Sequence, residues 1–187
     1  MITTPIILLI ILAVLVLWAI FSYNRFVTLT MRVKEAWADI DVQLKRRYDL
    51  IPNLVETVKG YMQHEANTLA EVTKMRTAAM SATTPDAKAA AENALSGTLK
   101  TLFAVSENYP TLKANENFLS LQGELSDTEN KLQAARRFYN GVVQDLNTAI
   151  HSFPSNLIAR MAGFSEQQFF ALGEADAAAK EPVKVNF

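Results

Sequence analysis

Apolar residues fall into two patterns along this chain, first a solid block and then stripes. No side chain from Met1 to Asn24 is charged, and Ile6 to Phe21 within that stretch is unbroken apolar sequence. A run of this length exceeds the roughly 20 residues needed to cross a hydrocarbon core of about 30 Å, so it predicts a transmembrane helix over 1–24. Pro5 lies near its start, where a missing N–H is harmless. Trp18 and Tyr23 lie toward its other end, where aromatic rings favour the interface. A cleaved leader would want a basic n-region, a shorter apolar run and a small-x-small site. Met1–Pro5 carries no Lys or Arg and residues 18–24 offer no such site, so a retained anchor is expected.

Beyond it the apolar positions step by three and four: Val33, Ala36/Trp37, Ile40, Leu44, Tyr48, Ile51, Leu54/Val55, Val58, Tyr61/Met62, Leu69, Val72, Met75 and Ala79. That is a helical stripe. Pro52 interrupts its hydrogen-bond ladder, which ends or kinks a helix. The stripe nevertheless keeps its phase across Pro52, which a loop would have no reason to do. It predicts one kinked helix of about 50 residues, roughly 75 Å long, with two helices around a tight break as the alternative.

Ser81 to Asp86 reads as a turn and a helix start, with Thr84 as cap, Pro85 in the first helical position and Asp86 at the positive helix end. The helix it opens runs to about Glu107 and is alanine-rich in its first half. Tyr109-Pro110 marks the next turn. A third long helix follows, with Leu112, Phe118/Leu119, Leu125, Leu132, Ala135, Tyr139, Val142/Val143, Leu146, Ile150 and Phe153 on its stripe, stopped by Pro154. Residues 156–162 predict a short helix closed by Gly163, with Phe164 placed for the apolar contact of a glycine C-cap. Ser165 to Gln168 reads as a capping box opening another short turn. The expected organisation is a 1–24 anchor, a single helical bundle over 25–174 and an irregular 175–187 tail.

Composition agrees with an all-α chain, since alanine and leucine are abundant while Gly (6) and Pro (6) are scarce. Cysteine is absent, which excludes disulfides and thiolate metal sites. Eighteen basic against 19 acidic residues give no basic excess, so no nucleic-acid partner is expected. Arg25, Arg32 and Lys34 follow the apolar run while nothing basic precedes it. The positive-inside rule therefore puts the bundle in the cytoplasm and the N-terminus outside. The same three residues are candidate lipid-headgroup contacts.

Several blocks stand out: Tyr23 to Val27, Val33 to Trp37, Asp39 to Val42, Leu44 to Arg47, Tyr48 to Val55 around Pro52, Tyr61 to Glu65, Ala134 to Gly141, Asn147, Phe153-Pro154, Ala159 and Gly163-Phe164. Together they resemble the LemA family of bacterial membrane proteins over essentially the whole chain. The resemblance implies a single-pass protein of the bacterial inner membrane, with an antiparallel bundle of three long helices plus one or two short C-terminal ones. It also implies no known enzymatic activity and an association with envelope stress or proteostasis partners. Where the family pattern has a second Tyr-Asn in the third helix, this chain has Asp145-Leu146-Asn147.

Motifs that carry chemistry are few in this chain. His64-Glu65 begins like a zinc-protease motif, but Thr68 stands where the second histidine belongs. No Glu-x-x-His pair suits a di-iron bundle. Glu56, Glu65, Glu124 and Glu129 suit surface ion pairs better than acid–base work. No catalytic residue, cofactor or metal is expected. Asp49, Pro52, Asn53, Arg136, Tyr139 and Asn140 lie on or beside the stripes of two long helices. They are candidates for fixing helix register through buried hydrogen bonds, or for lining an interaction groove. Trp37, Tyr48, Phe138 and Phe153 are expected as core anchors. The Lys45-Arg46-Arg47 cluster has Asp41 and Asp49 one turn to either side, which predicts pairing within the helix. These features together predict a non-enzymatic, membrane-anchored scaffold that self-associates or docks membrane partners. A membrane-shaping oligomer acting on lipid is the alternative.

Overall fold

The computed structural model describes residues 3–62 and 64–170. Six helices account for most of them, and there is no strand among the described residues. They are α1 (Thr3–Lys59), α2 (Ala66–Ser81), α3 (Pro85–Ser106), α4 (Pro110–Lys113), α5 (Glu116–His151) and α6 (Ser155–Ala162). The chain is all-α, with a long apolar N-terminal helix followed by a helical bundle, as the periodicity predicts. The tail 175–187 lies outside the described residues.

α1 is a single helix of 57 residues. Its side chains from Thr4 to Leu17 are exposed, and the helix carries an N-terminal apolar stretch long enough, by length and composition, to cross a membrane. Burial begins at Ser22, Phe26 and Leu29 and then follows the predicted stripe through Val33, Ala36, Ile40, Leu44, Ile51, Leu54 and Val58. α1 passes Pro52 without ending, as the unbroken phase suggests. The break comes instead at Gly60, so the expected 50-residue helix is two. Gly60 is a poor helix former. The last turn tightens there, with the Tyr61 and Met62 amides both donating to the Val58 carbonyl (2.9 and 3.0 Å). α2 then restarts after Glu65. The stripe concealed this break because Met62 and Leu69, on either side of it, are both buried.

The described chain forms two compact units, residues 3–38 with 137–168 and residues 39–136 with 169–170. In the second unit α2 packs on α3, burying Leu69, Val72 and Ala79 from one helix and Ala89, Leu95, Leu99 and Leu102 from the other. The predicted cap of α3 is present: Thr84 Oγ1 accepts from the Ala87 amide at 3.3 Å. α4 is a single turn, and the third long helix follows it as α5. Phe118 is buried at the start of α5, edge-on to Phe103 of α3 (6.2 Å).

In the first unit the ring of Trp37 on α1 meets Tyr139 on α5 edge-on, 5.3 Å between centroids. Beyond α5, Phe164 stacks on Phe26 (5.1 Å) and touches Tyr23 (5.7 Å). As α5 advances from Tyr139 toward His151 it therefore retreats along α1, so the two are antiparallel here. α6 ends as predicted. Gly163 has φ +76°, a left-handed conformation that favours glycine, and the Phe164 amide donates to the Ala159 carbonyl at 3.0 Å.

The expected turn over 165–168 is absent. Those residues are irregular and lie along α5. The Asn147 side chain donates to the Gln167 carbonyl (2.9 Å) and accepts from the Gln167 amide (3.0 Å). An amide side chain that satisfies both backbone groups removes the reason for a helical turn. Phe138 and Phe153, expected in the core, are 55% and 82% exposed. Phe138 falls on the solvent side of α5 between Arg137 and Tyr139, and Phe153 sits in the turn after α5 ends.

Candidate functional site

The second unit holds a cluster of charged groups in its interior. Arg47 on α1 has a side chain only 3% exposed, and Glu92 on α3 has one fully buried. Arg47 Nη1 lies 3.1 Å from Glu92 Oε2 and 3.1 Å from Glu129 Oε2 on α5. Its Nη2 donates to Ser96 Oγ at 2.8 Å. The neighbouring Tyr48 hydroxyl donates to the other Glu92 oxygen. A planar guanidinium with five N–H groups suits such a forked site better than an ammonium would. The cluster ties three helices together at one point along their length.

Tyr48 is held at its backbone as well. Pro52 has no N–H, so the Tyr48 carbonyl, four residues earlier, loses the partner that a helix would give it. Arg76 Nε of α2 donates to that carbonyl at 2.8 Å. This is how α1 passes a proline without breaking. The orphaned acceptor is satisfied from a neighbouring helix, which at the same time fixes where α2 lies.

Burial first, and then the Glu92 carboxylate, push the Tyr48 hydroxyl far above its ordinary 10. Tyr109 and Tyr139 move in the same direction, with burial as the leading cause in each. In the unfolded chain a tyrosine loses its proton near pH 10. Above that pH the unfolded state binds fewer protons than the folded one, so stability falls as pH rises and is flat below it. We expect the urea midpoint to decline above about pH 10 in the native chain, and Tyr48→Phe to reduce that slope by about one proton's share. An unchanged slope in Tyr48→Phe would show that the Tyr48 hydroxyl ionises as freely in the folded state as in water.

Pro52 is exposed at its ring and acts through the Tyr48 carbonyl. Asp49 and Asn53 are exposed and lie outside the buried cluster, so the buried polar contacts of this stretch fall to Arg47 and Tyr48 instead. Arg136 is buried, with its guanidinium carbon 4.7 Å from the centre of the Phe170 ring. In the other unit Tyr139 is buried and donates to the Gln168 carbonyl at 2.9 Å, and Asn140 is half-buried. Arg25, Arg32 and Lys34 are all exposed. The carboxylates are dispersed: Glu56 pairs with Lys59 (3.8 Å), Glu65 accepts from Tyr109 (3.3 Å), and Glu124 faces Arg46 (3.7 Å). No group of three His, Cys, Asp or Glu suited to a metal occurs among the described residues.

Arg47 was expected to pair within its own helix, and it pairs across helices instead. Position 47 borders the buried stripe between Leu44 and Ile51, which turns its side chain inward. Glu92 is not among the residues that the motifs point to. It was nonetheless legible, because it occupies a stripe position in the series Ala89, Glu92, Leu95, Leu99 and Leu102. A charge at such a position must find a partner.

The family model described as LemA family matches residues 36–187. Among curated proteins the chain is 26% identical over 148 residues to Protein LemA of Metamycoplasma hominis, covering 77% of this chain and 66% of that protein. It is 22% identical over 177 residues to Magnetosome protein MamQ 2 of Paramagnetospirillum magneticum and equally to Magnetosome protein MamQ of Magnetospirillum gryphiswaldense, covering 81% of this chain and 65% of each. The chain thus spans just under two thirds of the length of these relatives. With a family match that takes in the α1 stripe from Ala36 onward, the ionic cluster, the Pro52 device and the Gly163 cap, the chain belongs to the LemA family.

Proposed function

We propose that this chain is a non-enzymatic, membrane-anchored helical scaffold that self-associates or docks other membrane proteins from the bundle side. The observation that supports it is the continuity of α1. One helix without a linker supplies both the apolar span and the first wall of each compact unit. The interior charges support it too. Arg47, Glu92 and Glu129 pair with one another across three helices, an arrangement that suits a structural use of polar groups. Placement in the bacterial inner membrane, with the bundle in the cytoplasm, rests on the basic residues that follow the span.

Exposed apolar side chains on the bundle, among them Val42, Met80 and Leu119, are available for association. Lysine cross-linking in native membranes tests this reading. The expected result is a ladder at multiples of the 20.8 kDa chain, or mixed bands whose masses name a partner. Monomer alone, with the lysines shown to be modified, would remove the scaffold reading.

A further inference from the structure

α6 leaves its outer face bare. Leu157 and Met161, one turn apart, are 50% and 85% exposed, and Phe153 at the entry to the helix is 82% exposed. Arg160 stands beside Met161 and is also exposed, while Ala159 on the opposite side is buried against the unit. Single exposed apolar residues are ordinary. Three within nine positions, with an arginine among them, form the pattern of a helix that lies in a membrane interface.

The position of this face along α1 identifies what it meets. Trp37 and Tyr139 touch, and α1 and α5 run antiparallel from that contact. From Tyr139 to the end of α5 at His151 is 12 residues, about 18 Å at 1.5 Å per residue, and the same distance back along α1 from Trp37 reaches Arg25. α5 therefore ends level with the first charged residue after the apolar run. The other end of α6 is fixed at the same level, because Phe164, which follows its Gly163 cap, packs on Tyr23 and Phe26. With both ends at one height, α6 lies across the axis of α1, at the edge of the segment that can cross a membrane.

We propose that α6 is a second membrane contact, with the Leu157–Met161 face and Phe153 seated at the boundary of headgroups and acyl chains, and Arg160 and Arg25 among the phosphates. This inference rests on the reading of α1 as a membrane span. The occupant is the bilayer that α1 itself crosses, because that surface meets the face without any association event. Anchoring at two points, one through the bilayer and one along it, would fix the rotation of the first unit about α1 and hold its height against the membrane.

The chain has no cysteine, so single nitroxide labels report one position each. The probe is the full chain in vesicles of phosphatidylcholine and phosphatidylglycerol, carrying Leu157→Cys, Met161→Cys, Leu12→Cys or Arg137→Cys. Collisions with oxygen, which concentrates in lipid, are compared with collisions with a water-soluble nickel chelate. Labels at 157 and 161 are expected to show an oxygen-to-nickel ratio several-fold above that at 137, approaching the label at 12. If 12 is in lipid while 157 and 161 match 137, the interfacial contact is wrong and the span stands. If 157 and 161 are shielded from both agents, protein covers the face and the proposal is overturned in favour of a second copy. If 12 itself collides freely with the chelate, the span and the inference fall together.

Discussion

Arg47→Met should lower the stability of the folded chain by about 3–5 kcal/mol, the usual consequence of removing one member of a buried ion pair. Methionine is nearly as long as the arginine stem and apolar, so lost packing contributes little. The cost comes from what stays behind. Glu92 is fully buried, and without the guanidinium its remaining hydrogen-bond partner is the Tyr48 hydroxyl. Ser96 and Glu129 lose their partner as well, but Glu129 is 31% exposed at its side chain and turns to water at small cost. Urea unfolding followed by helical circular dichroism measures the loss. The double variant Arg47→Met with Glu92→Met should recover most of it, since no uncompensated charge is left inside. A single-variant loss below about 1 kcal/mol would mean that water reaches Glu92 in the folded state. Arg47→Lys should fall between, because an ammonium keeps the charge but cannot bridge two carboxylates and Ser96 at once.

The contrast between this cluster and the rest of the chain shows what a sequence of this kind discloses. The α3 start at Thr84, Pro85 and Asp86 and the Gly163-Phe164 cap were legible because each is a local device written within a few residues, and the apolar N-terminal helix because its run is continuous. The passage of α1 through Pro52 was legible from phase, although the means was not, since Arg76 lies 28 positions from the carbonyl it satisfies. Arg47 and Glu92 are 45 positions apart. Nothing near Arg47 points to α3, while Asp41 and Asp49 offer local partners that the fold does not use for it. Lys88 of α3 reaches Asp41 instead (3.9 Å). The break at Gly60 was hidden for the opposite reason. Periodicity reports which residues face a core, and two helices that face the same core in succession keep the phase of one. Asn147 and Gln167 carry the same lesson. Asn147 stands out in the sequence only as part of the family resemblance, and its partner, 20 positions away, is what holds the segment after α6 along α5.

Phe26→Ala should cost about 3–5 kcal/mol, the usual range for emptying a buried phenylalanine site. Phe26 is 1% exposed, and it lies two positions past the charge-free run, where α1 first becomes a wall of the first unit. Its ring and that of Phe164 are stacked at an interplanar angle of 25°. Phe164 is in turn the residue whose amide closes α6 onto Ala159. Truncating Phe26 therefore opens a cavity and loosens the capped end of α6 together. Hydrogen exchange followed by mass spectrometry should show amides of 155–168 losing protection in the variant, while those of α3 keep theirs. Phe164→Ala should loosen the same peptides, and the double variant should cost clearly less than the two single losses added, because both remove one contact. Strict additivity would mean that the two rings are stabilised independently, and that α6 is held against the first unit by its other contacts alone.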